Sequence, residues 1–261
     1  MIRFALAAGL SIASAPAAIS QEADAPWSQA DEIWGEQEMQ AARQHLLEKH
    51  GDTSTAYFQA ERFEVQSFED EDVLLLDGNA WFGGDIDKVW IKTELEYLPD
   101  EGEFEEAEIQ ALWSRAISPY WDVQTGLRYD FKPDGRTHLV AGFQGLAPYL
   151  FEPDAAAFLS EDGDLTARIE AEYELLLTQR LILQPRVELG LAAQDIPELE
   201  TGSGLTGIDA GLRLRYEIRR TFAPYVGVEW KESLGSTADM IEASGGETGQ
   251  AALIFGIRAW Y

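Results

Sequence analysis

The side chains able to hold a soft metal ion are few and scattered. His45, His50 and His138 are the only histidines, Met39 and Met240 the only methionines besides Met1, and cysteine is absent. Imidazole and thioether are the donors such an ion selects, whereas carboxylate is a hard ligand. Met39, His45 and His50 lie close in sequence, but separations of six and five residues miss the i, i+3 or i, i+4 spacing of one helix face. His138 shares its face with Val140, Gly142 and Gln144, opposite Leu139, Ala141 and Phe143. Carboxylates from other segments can join it there as metal ligands; the competing role is membership of a hydrogen-bonded polar network. His138 has no serine partner in sequence and no phosphate loop or zinc motif is present, so the chain reads as a non-enzyme.

The elements that must position these residues begin with an export signal. Arg3 precedes an apolar run from Phe4 to Ala13, followed by small residues to Ser20 and polar, acidic residues from Gln21. That pattern marks 1–20 as a signal peptide. Residues 21–53 form a short helix or linker: Ser28 and Asp31 have capping-box spacing, helix formers continue through Leu47, and Gly51 stops the run. The net charge of −28 argues against nucleic acid and for cations as partners.

From residue 54 to 261 the hydropathy period is two. In Ile208–Arg219, Ile208, Ala210, Leu212, Leu214, Tyr216 and Ile218 face one way; Asp209, Arg213, Arg215 and Glu217 face the other. About twelve such segments occur: 54–67, 72–83, 86–97, 104–117, 120–131, 136–146, 149–159, 165–177, 180–192, 206–218, 222–232 and 251–261. Most have the 9–11 residues that a tilted strand needs to cross a bilayer. Short joints alternate with long acidic loops, as in outer-membrane barrels. The expected fold is all-β: a transmembrane antiparallel β-barrel of about twelve strands with a short N-terminal periplasmic helical segment. The expected location is the cell outer membrane, with the N-terminus in the periplasm. Pro185 interrupts one segment, where a bulge is expected. The projected interior carries Asp130, Glu188 and Glu229 among many acids, facing Arg128, Arg168, Arg186 and Arg213.

The motifs Ser114–Arg128, Gly142–Glu152, Arg168–Arg186, Gly211–Gly227 and the closing Gly256–Tyr261 occur in the order seen in the copper-resistance protein B family, which the chain resembles from about Tyr57 to Tyr261. The resemblance implies an outer-membrane barrel of copper resistance or homeostasis that binds copper ions or passes them across the membrane, and a monomer is expected. It also implies outer-membrane lipid and a periplasmic copper carrier or oxidase as partners. The alternative is a passive pore or structural barrel without specific copper coordination. Many members carry a long Met- and His-rich segment before the barrel; here that region holds only Met39, His45 and His50.

Overall fold

The computed structural model describes residues 28–51, 53–69 and 71–261. The expected signal peptide lies outside the described residues.

Two helices come first. α1 (Ser28–Trp34) and α2 (Glu36–His50) are separated by Gly35, whose φ of 88° breaks what the sequence suggests is one run. Arg43 of α2 pairs with Asp31 of α1 at 2.6 Å, so the two fold back on each other. α2 ends where the Gly51 N–H donates to Leu47 O at 2.8 Å.

The rest is one closed sheet. Its strands are β1 (Thr55–Ser67), β2 (Asp72–Gly83), β3 (Asp87–Leu98), β4 (Glu103–Ser118), β5 (Trp121–Lys132) and β6 (Arg136–Gly145), then β7 (Phe151–Ser160), β8 (Leu165–Tyr173), β9 (Leu181–Ala192), β10 (Gly204–Tyr216), β11 (Phe222–Ser233) and β12 (Gly249–Trp260). Each pairs antiparallel with the next, and β12 returns to β1 through partners such as Val65 and Phe255, so no edge strand is left open. All twelve expected segments become strands, eleven of them within about two residues of the bounds read from period alone; the 165–177 segment ends early, at Tyr173, and resumes only as Leu175–Leu176. The long loops, including one that contains α3 (Gly235–Ser244), all lie at the end opposite Thr55 and Trp260.

Alternation sorts the side chains into two environments. Outward positions stay apolar and uncovered: Leu253 and Phe255 are each 57% exposed, as a lipid-facing band requires. Inward positions on the same strand, Ala252 and Ile254, are buried. No described helix is long and apolar enough to cross a membrane.

Two local features correct the period reading. Pro185 makes no bulge: Arg186 pairs with Glu172 and Leu183 with Leu175 in one register. The missing N–H is absorbed instead as a gap in the neighbouring strand at Glu174, between β8 and its continuation Leu175–Leu176. A bulge occurs in β1, where the register shifts between Ala60 and Arg62. The extra residue turns Glu61 and Arg62 to the same, inward side. Asn79 donates to Glu61 at 3.2 Å and Arg62 donates to Asp77 at 2.9 Å.

Candidate functional site: a charged belt across the lumen

The lumen is filled rather than open. Leu112, Val140 and Phe158 form an apolar cluster against one inner wall, with Trp90 and Ala156 packed on it. Beside it runs a connected belt of ion pairs that joins opposite walls. Arg168 on β8 reaches Glu94 on β3 at 3.0 Å, Glu108 on β4 at 3.3 Å and Glu188 on β9 at 3.2 Å. Glu94 is held a second time by Arg62 at 2.7 Å, and Glu108 by Arg128 at 2.8 Å. Glu188 bonds Arg186, which also holds Glu170 at 2.8 Å.

The belt continues to the closure of the barrel. Arg213 binds Glu229 at 2.9 Å and grips Glu64 through two hydrogen bonds. Tyr225 donates to Glu64 at 2.8 Å, crossing Gly256 to reach it. A side chain at Gly256 would meet the Tyr225 ring at 2.5 Å, so glycine is what lets this layer close. Buried charges of this density are tolerated only when each has a partner.

Arg62, Glu94 and Arg168 line two cavities at once, so one layer of ion pairs separates them. Toward the barrel end that carries Thr55 and Trp260 lies a pocket of about 130 Å³. Toward the long loops lies a vestibule of about 500 Å³, bounded by eleven carboxylates and four cationic side chains. Glu71, Glu105, Glu106 and Glu247 belong to its wall. Such an excess focuses a negative potential at that mouth.

The vestibule has a partial roof. Thr237 of α3 accepts from Gly202 N at 2.9 Å, and Ser236 donates to Ser203 O at 2.9 Å, clasping two loops together. Below the clasp, Ser203 N donates to Asp195 at 2.7 Å, and hydrogen bonds from Ser203 hold that carboxyl below its ordinary range.

The candidate ligands are not gathered. His138 is buried on the lumen face of β6; its Nε2 lies 3.0 Å from Asp130 and its Nδ1 has no partner among the described residues. The strand pairing sets Ser160 directly across from it, a neighbour that sequence spacing does not reveal. The Ser160 hydroxyl donates to Asp164 at 3.4 Å instead of to the imidazole, so no nucleophile–base hydrogen bond forms. On α2, Met39 is half-buried and His45 exposed; the His50 side chain lies outside the described residues. Among the described residues no group of three His, Asp or Glu side chains is arranged to hold a metal.

Sequence reading found Arg128, Arg168, Arg186 and Arg213 as interior residues. It missed Arg62 and Glu64, whose parity the β1 bulge reverses, and Asp77, which follows the apolar run Val73–Leu76 and so carries no alternation signal.

A closed, antiparallel barrel with an apolar outer band and a charged lumen defines an outer-membrane β-barrel. A solved structure of the NanC porin superposes with a TM-score of 0.51 at 10% identity, covering 78% of this chain and 99% of that one, and shares the fold. Residues 54–261 match the family described as "Copper resistance protein B precursor (CopB)", and the chain belongs to that family. It is 47% identical over 184 residues to copper resistance protein B of Escherichia coli, covering 70% of this chain and 62% of the relative's length. It is 44% identical over 213 residues to the copper resistance protein B homolog of Pseudomonas syringae pv. tomato, covering 81% and 72% respectively.

Proposed function

We propose that this barrel serves copper resistance by drawing copper ions into its acidic vestibule and passing them across the outer membrane under control of the ion-pair belt. The N-terminus then faces the periplasm and the vestibule faces outward. The carrying observation is the vestibule itself, with its large excess of carboxylates above a one-layer partition. Carboxylates concentrate a cation without selecting copper. Selection is assigned to His138, the imidazole inside the barrel, whose buried Nδ1 lacks a partner. Met39, His45 and His50 supply at most a weak second site on the N-terminal segment. The reading involves no catalysis: copper is cargo, the barrel works as a monomer, and a periplasmic copper carrier or oxidase exchanges the ion with it.

A second reading, a structural barrel without specific copper coordination, is favoured by the closure of the lumen and by the scattered ligands. Copper titration of the refolded chain, followed by the Cu(II) electron paramagnetic resonance spectrum, separates the two. Nitrogen coordination in the wild type that disappears in His138→Ala is expected. A pure oxygen-ligand spectrum in both proteins would establish the second reading.

A further inference from the structure

The chain has far more acids than bases, and its described arginines are almost all spoken for. Each has a carboxylate of a described residue within 4.0 Å except two, Arg180 and Arg219. These two lie on adjacent turns at the end of the barrel that carries Thr55 and Trp260. With Gln179, Glu217, Ile218 and Arg220 they line a groove of about 250 Å³. We propose that this groove holds the phosphate headgroup of an anionic phospholipid.

The turns are built to present the guanidinium groups. Thr178 Oγ1 accepts from Arg180 N at 3.2 Å and from Leu181 N at 2.9 Å, which fixes the first turn. Arg219 and Phe222 exchange backbone hydrogen bonds of 3.2 and 3.1 Å, which fix the second. Glu217 N donates to Arg180 O at 2.8 Å and locks one turn against the other. The one carboxylate in the groove, Glu217, is itself engaged by Arg220 at 3.5 Å. Among the described residues these two guanidiniums have no carboxylate partner, and guanidinium matches phosphate oxygens in charge and geometry.

The surroundings favour a lipid over a free anion. Exposed Leu175, Leu177, Tyr216 and Ile218 adjoin the groove on the same two turns and continue the apolar outer wall. A headgroup at the arginines would therefore lay its acyl chains along side chains that already face lipid. The site rests on the proposed orientation only for which leaflet supplies the lipid: with the termini on the periplasmic side, this end meets the inner, phospholipid leaflet.

Native mass spectrometry of the full chain in neutral detergent micelles tests the site without reference to orientation. Phosphatidylglycerol, phosphatidylcholine and inorganic phosphate serve as probes. Phosphatidylglycerol is expected to bind one per chain at roughly ten-fold lower concentration than phosphatidylcholine, as attraction of a basic patch to an anionic lipid implies. Arg180→Gln with Arg219→Gln should abolish that preference. Arg115→Gln, which removes an arginine at the same end already paired with Asp87, should leave it intact. Heat-shifted gel mobility verifies that each variant is folded, and Arg180→Lys with Arg219→Lys is expected to keep most of the preference. Equal retention of the two lipids by the wild type, an undiminished preference in the Gln double variant, or displacement of the lipid by equimolar inorganic phosphate would each overturn the proposal.

Discussion

Arg213 and Glu64 are joined by two hydrogen bonds of 3.0 and 2.8 Å, and both side chains are almost completely buried. They sit on β10 and β1, so the pair reaches past β11 and β12 and across the seam where β12 meets β1. Glu64 has no other cation within 4.0 Å among the described residues; its remaining partners are the neutral Gln66 and Tyr225. Arg213→Ala should therefore strand a buried carboxylate and cost about 3–5 kcal/mol. Denaturant unfolding in micelles measures it, and a loss below about 1 kcal/mol, the level of an exposed pair, would contradict the pairing. Arg213→Lys should recover part of the loss, because a single ammonium cannot reproduce the two-pronged grip.

Arg168 should behave in the opposite way. Each carboxylate it touches has a second arginine: Glu94 keeps Arg62, Glu108 keeps Arg128 and Glu188 keeps Arg186. Its removal leaves no acid unpaired, yet it takes out the residue that ties the walls together between the two cavities. Arg168→Ala is expected to stay folded, losing less stability than Arg213→Ala, and to raise single-channel conductance in planar bilayers several-fold. Unchanged conductance in a folded variant would show that the partition lies elsewhere.

The loop clasp gives a third test. A Cβ at Gly202 would approach the Ser236 carbonyl carbon to 2.4 Å and Thr237 N to 2.5 Å. Gly202→Val should push α3 away from the loop before β10, and Thr237→Val should remove the acceptor for a buried N–H at a cost of about 1–3 kcal/mol. Limited proteolysis of intact cells or of micelles should cut both variants in 195–203 or 235–245 faster than the wild type. Equal cutting rates would mean that the clasp does not order these loops.

Strands were legible in the sequence because one physical constraint, lipid on one side and a charged lumen on the other, is written at every second residue. Ile208–Tyr216 shows it in full, and the inward placement of Arg213 and Arg215 followed directly. The belt was legible only as a set of interior charges. Which acid meets which arginine depends on curvature: Glu94 and Arg168 are 74 residues apart and meet because their strands face each other across the lumen. Parity failed where the backbone departs from ideal pleating, at the β1 bulge that brings in Glu61 and Arg62. It was silent at Val73–Leu76, where an apolar run buries Val73 and Leu75 inside the mouth that carries the long loops. His138 was placed on the correct face by period, but its neighbours Asp130 and Ser160 come from strand pairing.

Copper uptake into proteoliposomes tests the central claim most directly. A Cu(II)-sensitive dye is sealed inside vesicles carrying the refolded chain with its long loops outward. The wild type should admit copper faster than protein-free vesicles, Arg168→Ala faster still, and a Glu105→Gln, Glu106→Gln, Glu247→Gln variant about ten-fold more slowly than the wild type, the lower end of what electrostatic focusing supplies. Entry no faster than in protein-free vesicles, for both the wild type and Arg168→Ala, would contradict a copper-passing barrel.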